Sequence, residues 1–340
     1  MIEAKELQRA YQMIKASKGV LIIGHLRPDG DALSSISALP LIAERSGEKT
    51  IAFAEGSHPK TFNYLPGFNT ILSSVDMLKE KYGKVFFWRE VFNLIIVVDC
   101  GSLIRTGLSK EILEFQSGGG KVIEFDHHPR IDEYADLELR DSKLSSTAEL
   151  IYNFTVINNI KLDKNLADCI LTGIMSDTGK LLYPSASQAT MKASSAALAA
   201  GARYAKILQA VSGDKSLAVM RLWGLVLDRV QLNSNYQMAI ALVTRKDIND
   251  IFPGDQLKTA LESELFSDLI SFLSNYTGVR AVMLLYEDGR GYVKGSLRST
   301  ADGYFVDKLA RALGGGGHER ASGFAVLGKL ENKQDIWRVT

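Results

Sequence analysis

The chain has 340 residues, 46% apolar and 23% charged, and its 40 Lys and Arg against 39 Asp and Glu leave a net charge of +1. That length predicts two domains with ample material for a core. The near-neutral balance excludes a global field that holds long nucleic acid or an anionic membrane, so an anionic ligand must be held by a local pocket.

The first element, MIEAKELQRAYQMIKASKG, reads as a charged amphipathic helix without a signal-peptide core. No apolar run approaches the roughly 20 residues that span a bilayer. A cytoplasmic protein with no membrane partner is therefore expected. Cys100 and Cys169 stand far apart with no CxxC spacing, so they are expected to be small buried side chains rather than a disulfide framework.

GVLIIG (19–24), KTIAFAE (49–55), FNLIIVVDC (92–100) and KVIEFD (121–126) follow as predicted strands. They are short, apolar on both faces and rich in Val and Ile, the pattern of a parallel sheet covered by helices. ALSSISALPLIAERSG (32–47) reads as a helix closed by Gly47. STAELIYNFTVINN (146–159) opens with a capping-box pattern, Ser146 and Glu149. NLADCILTGIMSDTG (165–179), SQATMKASSAALAAG (187–201) and DKSLAVMRLWGLVLDRVQL (214–232) are further predicted helices.

From about residue 235 the pattern changes. YQMAIALVT, LKTALESELFSDLISFLSN (257–275), AVMLLYED and YVKGSLRST predict a smaller mixed sheet with a helix, followed by LGGGGHERASGF (313–324). The expected fold class is α/β: a doubly wound, mostly parallel domain over 1–200, a helical connection over 201–234, and a smaller mixed α/β domain over 235–340. The apolar helix at 216–232 offers a surface to a second copy of the chain, as in a homodimer.

The strongest signal is positional. His25, Asp29 and Asp31 follow the first strand, Asp99 ends another, and Asp126, His127 and His128 follow a third. Open α/β sheets bind ligands outside the carboxyl ends of their strands. Asp177, ending a helix, adds a further acid. One such acid is commonly a helix cap; a whole set is hard to explain by capping. Clustered carboxylates need a compensating cation. Asp and His donors without thiolates suit Mn²⁺, Fe²⁺, Co²⁺ or Zn²⁺. Six candidate ligands suit two metals roughly 3.5–4 Å apart, sharing a carboxylate and a hydroxide. Two rival motifs fail: an EF-hand beginning at Asp29 would have Pro40 at its twelfth position, and no GxxxxGK[ST] run occurs.

HLRPDGDA (25–32), DCGSLIRTG (99–107), DHH (126–128), STAELI (146–151), SDTG (176–179), SLRS (296–299) and GGGH (315–318) resemble, in this order, the motifs of DHH-family phosphoesterases with a DHH-associated C-terminal domain. Length and the compact second domain most resemble the nano-RNase type, which are bifunctional oligoribonucleases and 3′-phosphoadenosine 5′-phosphate phosphatases.

The resemblance implies two Mn²⁺ ions. His25, Asp29 and Asp99 would hold the first; Asp31, Asp99, His127 and Asp177 the second, with Asp99 bridging. His128 would face the scissile phosphate or the leaving oxygen, with Asp126 orienting a histidine from behind. Arg298 and His318 would grip substrate phosphate, Gly315, Gly316 and Gly317 would allow close backbone approach, and Arg105 would be a further contact. The family often has Asn or a similar small residue where this chain has Arg27, and Gly where it has Ser34.

The implied partners are short RNA and small nucleotides. Residues 235–340 carry 13 Lys and Arg and 13 Asp and Glu, so no basic stripe for tracking a long polymer is expected. Turnover of cyclic or linear dinucleotides, inorganic pyrophosphatase activity and non-catalytic nucleotide sensing are the competing readings.

Overall fold

The computed structural model describes residues 2–47, 49–83, 85–183, 185–212, 216–252, 265–333 and 336–340. The chain divides into two compact units, Met1–Asp214 and Lys215–Thr340.

The first unit runs α1 (Ala4–Lys15), β1 (Gly19–Ile23), α2 (Gly30–Ala43), β2 (Lys49–Phe53), α3 (Val75–Tyr82), α4 (Val85–Val91), β3 (Leu94–Val98), α5 (Ser109–Ser117), β4 (Lys121–Asp126), β5 (Leu137–Arg140), α6 (Thr147–Ile157), α7 (Lys164–Asp177), α8 (Gln188–Ala199) and α9 (Tyr204–Ser212). Its five strands form a parallel sheet in the order β2-β1-β3-β4-β5. The expected α/β class is found. GVLII and LIIVV are buried at every position because both faces are covered. Val20, Ile22, Ile96 and Val98 pack in one core with α1, α2, α6 and α7, while Leu21, Ile23, Ile95 and Val97 pack in a second with Trp88, Phe92 and Phe115.

Two local readings change. Ser146 caps α6 through Glu149 N at 3.1 Å, but the Glu149 carboxylate turns one residue further back and accepts from Ser145 N and Oγ. Half of the capping box is therefore made. β5 was not among the predicted strands; its sequence LELR is half charged.

The second unit runs α10 (Leu217–Asp228), β6 (Gln231–Asn233), β7 (Met238–Val243), α11 (Arg245–Ile251), α12 (Leu265–Leu273), β8 (Ala281–Glu287), β9 (Tyr292–Ser299), α13 (Asp307–Ala312), β10 (Gly316–His318), β11 (Ala321–Leu327), β12 (Leu330–Lys333) and β13 (Ile336–Val339). Six strands make a mixed sheet, β10-β11-β9-β8-β7-β6, in which β7 and β8 alone run parallel; β12 and β13 pair separately. The helix expected over 214–232 stops at Asp228, and 231–233 form an edge strand instead. The first part of the helix expected over 257–275 lies outside the described residues; the rest is α12. α9 packs in the first unit and α10 in the second. α10 buries Leu222 and Val226 and leaves Leu217 and Met220 exposed. Among the described residues no helix is long and apolar enough to cross a membrane.

One ion pair, with a buried acid and a half-exposed arginine, links α7 to the start of α9 in the first unit. Asp168 of α7, fully buried, accepts from Arg203 N and Nε, both at 2.7 Å. Removing one partner of such a pair strands a charge. Arg203→Met should cost about 3 kcal/mol in a urea melt. A loss below the error of the melt would show that Asp168 is held adequately by the backbone amide alone.

Candidate metal centre

The strand order reverses between β1 and β3, and the crevice outside their carboxyl ends is where such sheets bind ligands. The chain leaving β1 is pinned by Leu26 N on Arg105 O at 2.7 Å and Arg27 N on Glu55 O at 2.8 Å. Arg27 sits in the left-handed region at φ +54°. Asn adopts that conformation at lower cost than Arg. Asp29 then caps α2, accepting from Asp31 N and Ala32 N at 3.0 Å. Asp31 is fully buried and is itself held by the first amides of α6, Thr147 N at 2.6 Å and Ala148 N at 3.0 Å.

Asp99 follows β3 in a left-handed conformation, φ +58°, with Thr147 Oγ1 on its Oδ1 at 2.9 Å. Non-glycine residues held this way persist where the surroundings over-determine them. Asp177, the last residue of α7, reaches the same place because α7 crosses α2 at Gly173. A methyl group there would stand 2.3 Å from Asp31 Oδ1 and 2.5 Å from Ser34 Oγ. Neither Gly173 nor Thr147 was singled out from sequence. The signal for Thr147 was its place one residue after the Ser146 cap.

Among the described residues three overlapping groups have donor atoms within 4.8 Å of one another: His25, Asp29 and Asp99; Asp31, His127 and Asp177; and Asp99, His127 and His128. His25 Nε2 lies 3.7 Å from Asp29 Oδ2 and 3.9 Å from Asp99 Oδ2. His127 Nε2 lies 3.1 Å from Asp177 Oδ2 and 3.6 Å from Asp99 Oδ1.

The tautomers decide what these contacts mean. His25 Nδ1 faces Leu26 O at 2.9 Å and His127 Nδ1 faces Leu144 O at 3.4 Å, so each Nδ1 carries the proton. In the neutral ring, each Nε2 then turns a lone pair toward carboxylates. His127 Nε2 is buried and makes no aligned hydrogen bond among the described residues. Lone pairs and carboxylates meeting at one point repel unless a cation stands between them. The mixed imidazole and carboxylate donors fit a divalent transition metal.

Ionisation follows the same logic. Burial first, then Asp177, pushes Asp31 well above the ordinary aspartate range; burial, then Asp31 and Asp29, does the same to Asp99. Burial also acts against Asp29, but a charged His25 ring beside it and the α2 amides outweigh it and hold that carboxyl low when no metal is bound.

Asp126 ends β4 without entering any of these donor groups. Its Oδ1 accepts from His128 N at 2.8 Å and Nδ1 at 2.9 Å, and its Oδ2 from Gly101 N at 2.6 Å. It therefore aims His128 rather than facing the centre. Arg105 and His128 flank Gly101: a methyl there would be 3.3 Å from Arg105 Nη1 and 3.5 Å from His128 Cβ. His128 also borders an open polar cleft of ≈ 470 Å³, shared with Arg130, Ser142 and Lys143.

The remaining predicted residues gather in the second unit. His318, Ala321 and Arg298 are cross-strand partners, as are Gly316, Gly323 and Ser296. They share one sheet face. At about 4.8 Å per strand, Arg298 and His318 stand roughly 10 Å apart across a small residue. Helices cover that face over β7 and β8 through Val282 and Leu284. Over β9 to β11 it carries small and polar side chains. Gly316 opens on this face with nothing within 4 Å of an added methyl. Gly315 and Gly317 have another reason to be glycine: a methyl would meet Gly323 O at 2.1 Å or Ala321 O at 2.6 Å.

Residues 19–174 match the DHH family, N-terminal domain, and residues 236–338 match the DHHA1 domain. The chain belongs to the DHH family of phosphoesterases. It is 29% identical to the bifunctional oligoribonuclease and PAP phosphatase NrnA of Bacillus subtilis (strain 168), over 90% of this chain and 89% of that protein. It is 23% identical to the probable manganese-dependent inorganic pyrophosphatase of Streptococcus thermophilus (strain CNRZ 1066), over 75% and 82%. The crystal structure of an exopolyphosphatase-related protein from Bacteroides fragilis shares the fold, with a TM-score of 0.81 at 23% identity over 97% and 93% of the two chains.

Two outcomes test the centre. Asp31 and Asp99 hold protons more tightly folded than unfolded, so without metal they favour the folded state at low pH and lose that advantage as pH rises above the unfolded value near 3.8. Metal binding needs both ionised and expels those protons. The rise in Tm on adding Mn²⁺ should therefore widen from pH 5 to pH 8; a constant rise would refute the ligand set. Gly173→Ala should displace Asp31 and weaken Mn²⁺ binding at least tenfold by calorimetry.

Proposed function

We propose that this DHH-family protein is a nano-RNase: a metal-dependent phosphodiesterase that releases 5′-mononucleotides from very short RNA, and a phosphatase that converts 3′-phosphoadenosine 5′-phosphate to AMP. The observation that carries the proposal is the pair of donor groups meeting at Asp99, each with an imidazole lone pair turned inward. The substrate class is supported by the similarity to a bifunctional oligoribonuclease and PAP phosphatase over nine tenths of the chain.

In this reading His25, Asp29 and Asp99 hold one ion, and Asp31, Asp99, His127 and Asp177 the other. Mn²⁺ is the proposed metal, supported by the donor chemistry and by the manganese-dependent relative. When bound, the ions supply positive charge that acidifies a water and draws electrons from the phosphate. The chain's own groups do the rest. A water oxygen bonds phosphorus as the bond to the leaving ribose oxygen breaks, and His128, aimed by Asp126, gives that oxygen its proton through Nε2. Arg105 steadies the phosphate beside His128. Arg298 and His318 hold a terminal phosphate, with Gly316 keeping their face open. The buried free thiols of Cys100 and Cys169 suit a reducing, cytoplasmic setting.

The test is purified protein with Mn²⁺ on an RNA dinucleotide, a 24-mer RNA, 3′-phosphoadenosine 5′-phosphate, cyclic diadenylate and pyrophosphate. Fast turnover of the dinucleotide and of 3′-phosphoadenosine 5′-phosphate, with a slow 24-mer, is expected. Preference for the cyclic substrate or for pyrophosphate would overturn the reading. Asp99→Ala should abolish turnover with the fold intact. Arg298→Ala should raise KM for phosphate-ended substrates about tenfold or more while leaving kcat within a few-fold, as loss of a charge-assisted hydrogen bond predicts.

A further inference from the structure

A buried charge network on the last two strands of the parallel sheet surrounds Asp126, and its other members have no role assigned above. β4 and β5 pair so that Glu124 lies opposite Glu138 and Asp126 opposite Arg140. Four charged side chains thus share one face at the sheet's end. Glu124 is 1% exposed and Asp126 0%. The Arg140 side chain is 7% exposed.

That guanidinium donates hydrogen bonds from Nε and Nη1, while its buried Nη2 lies against two carboxylates without an aligned hydrogen bond. Nη2 lies 2.7 Å from Glu124 Oε1 and 3.4 Å from Asp126 Oδ2, and Nε donates to Glu138 Oε1 at 2.8 Å. Nη1 donates to His128 O at 2.9 Å and Pro129 O at 3.3 Å. Tyr134 Oη donates to the same Glu124 oxygen at 2.6 Å, and Arg130 pairs with Glu138.

A solvent-exposed pair would be worth little. This one is buried, and its geometry is directed. Arg140 touches the carboxylate that binds His128 Nδ1 and the backbone of the residue that bears the ring. Both ends of the imidazole's support therefore run through a single cation.

We propose that Arg140 is a positioning residue for His128: it fixes the Asp126 carboxylate and the His128–Pro129 backbone so that Nε2 meets the leaving oxygen. The inference rests on the hydrolytic role proposed for His128. A planar fork suits five acceptors at once in a way an ammonium does not, so Lys is a poor substitute.

The test exploits the leaving group. A nucleoside 5′-(p-nitrophenyl phosphate) expels a phenolate that needs no proton, whereas a dinucleotide expels a ribose alkoxide that does. Arg140→Met should lower kcat on the dinucleotide about 10–100-fold, the usual range for a group behind a catalytic residue. KM and Mn²⁺ affinity by calorimetry should stay within twofold, and the p-nitrophenyl ester should be cleaved at nearly the normal rate. Arg140→Lys should restore only part of the loss. His128→Asn combined with Arg140→Met should be no slower than His128→Asn alone. An equal fall on both substrates, or loss of Mn²⁺ binding, would overturn the proposal.

If Arg140→Met fails to fold, the paired change Glu124→Gln with Arg140→Gln removes both charges together and is read in the same way. If the wild-type enzyme cleaves the p-nitrophenyl ester but neither short RNA nor 3′-phosphoadenosine 5′-phosphate, the substrate reading fails on its own. A series of aryl esters of rising leaving-group pKa then still tests Arg140.

Discussion

Repulsion among carboxylates at the end of one sheet is the constraint on which the site depends. Two unit charges about 4 Å apart repel by about 4 kcal/mol at an effective dielectric of 20. A few such pairs rival the roughly 5–15 kcal/mol that keeps a domain folded. Burial, with repulsion from the neighbouring acids, pushes Asp31 and Asp99 well above the ordinary aspartate range. Such an arrangement is costly to build, so its presence argues for a cation that repays it.

The scaffold supplies part of the compensation from neutral groups. The first amides of α6 donate to Asp31, the hydroxyl of Thr147 to Asp99, and the first turn of α2 to Asp29. Helix N-termini offer such donors without adding a counter-charge. The close crossing of α2 and α7 at Gly173 delivers Asp177 to the acids from the other strands. Parallel strands set their carboxyl ends side by side, and the reversal of order between β1 and β3 leaves the crevice open there.

Much of this was legible in the sequence because its signals are local. GVLII and LIIVV can hardly be anything but covered strands, and an imidazole or acid directly after such a run has its place decided by the sheet. What was missed depends on tertiary neighbours. LELR is four residues long with alternate charges, and its pairing is set by β4 rather than by its own pattern. Gly173 reads as a weak point in a helix until α2 is packed against it. The glycines at 315 and 317 read as an open approach for ligand, but neighbouring strand backbone already requires them, which leaves Gly316 as the open one. Glu149 fitted a capping box, yet Ser145 and Thr190 compete for the same carboxylate and win.

Asp99 and Asp126 show where sequence logic ends. Each closes a buried strand of Val, Ile or Phe, and nothing in the flanking residues separates their roles. Their surroundings do. Burial acts against Asp126, but the His128 ring and amide, with the permanent cation of Arg140, outweigh it and hold the carboxyl below its ordinary range. Burial drives Asp99 the other way, with four acidic neighbours adding to it and one hydroxyl donating to the carboxylate. A carboxylate that is to orient a ring must keep its charge whatever is bound, so its counter-charge belongs to the protein. A carboxylate that is to hold an ion must be left short of positive charge, so that the ion is what completes it. The fixed arginine beside Asp126, with no arginine or lysine among the strongest influences on Asp99, supports the roles proposed for the two acids better than their positions in the chain do.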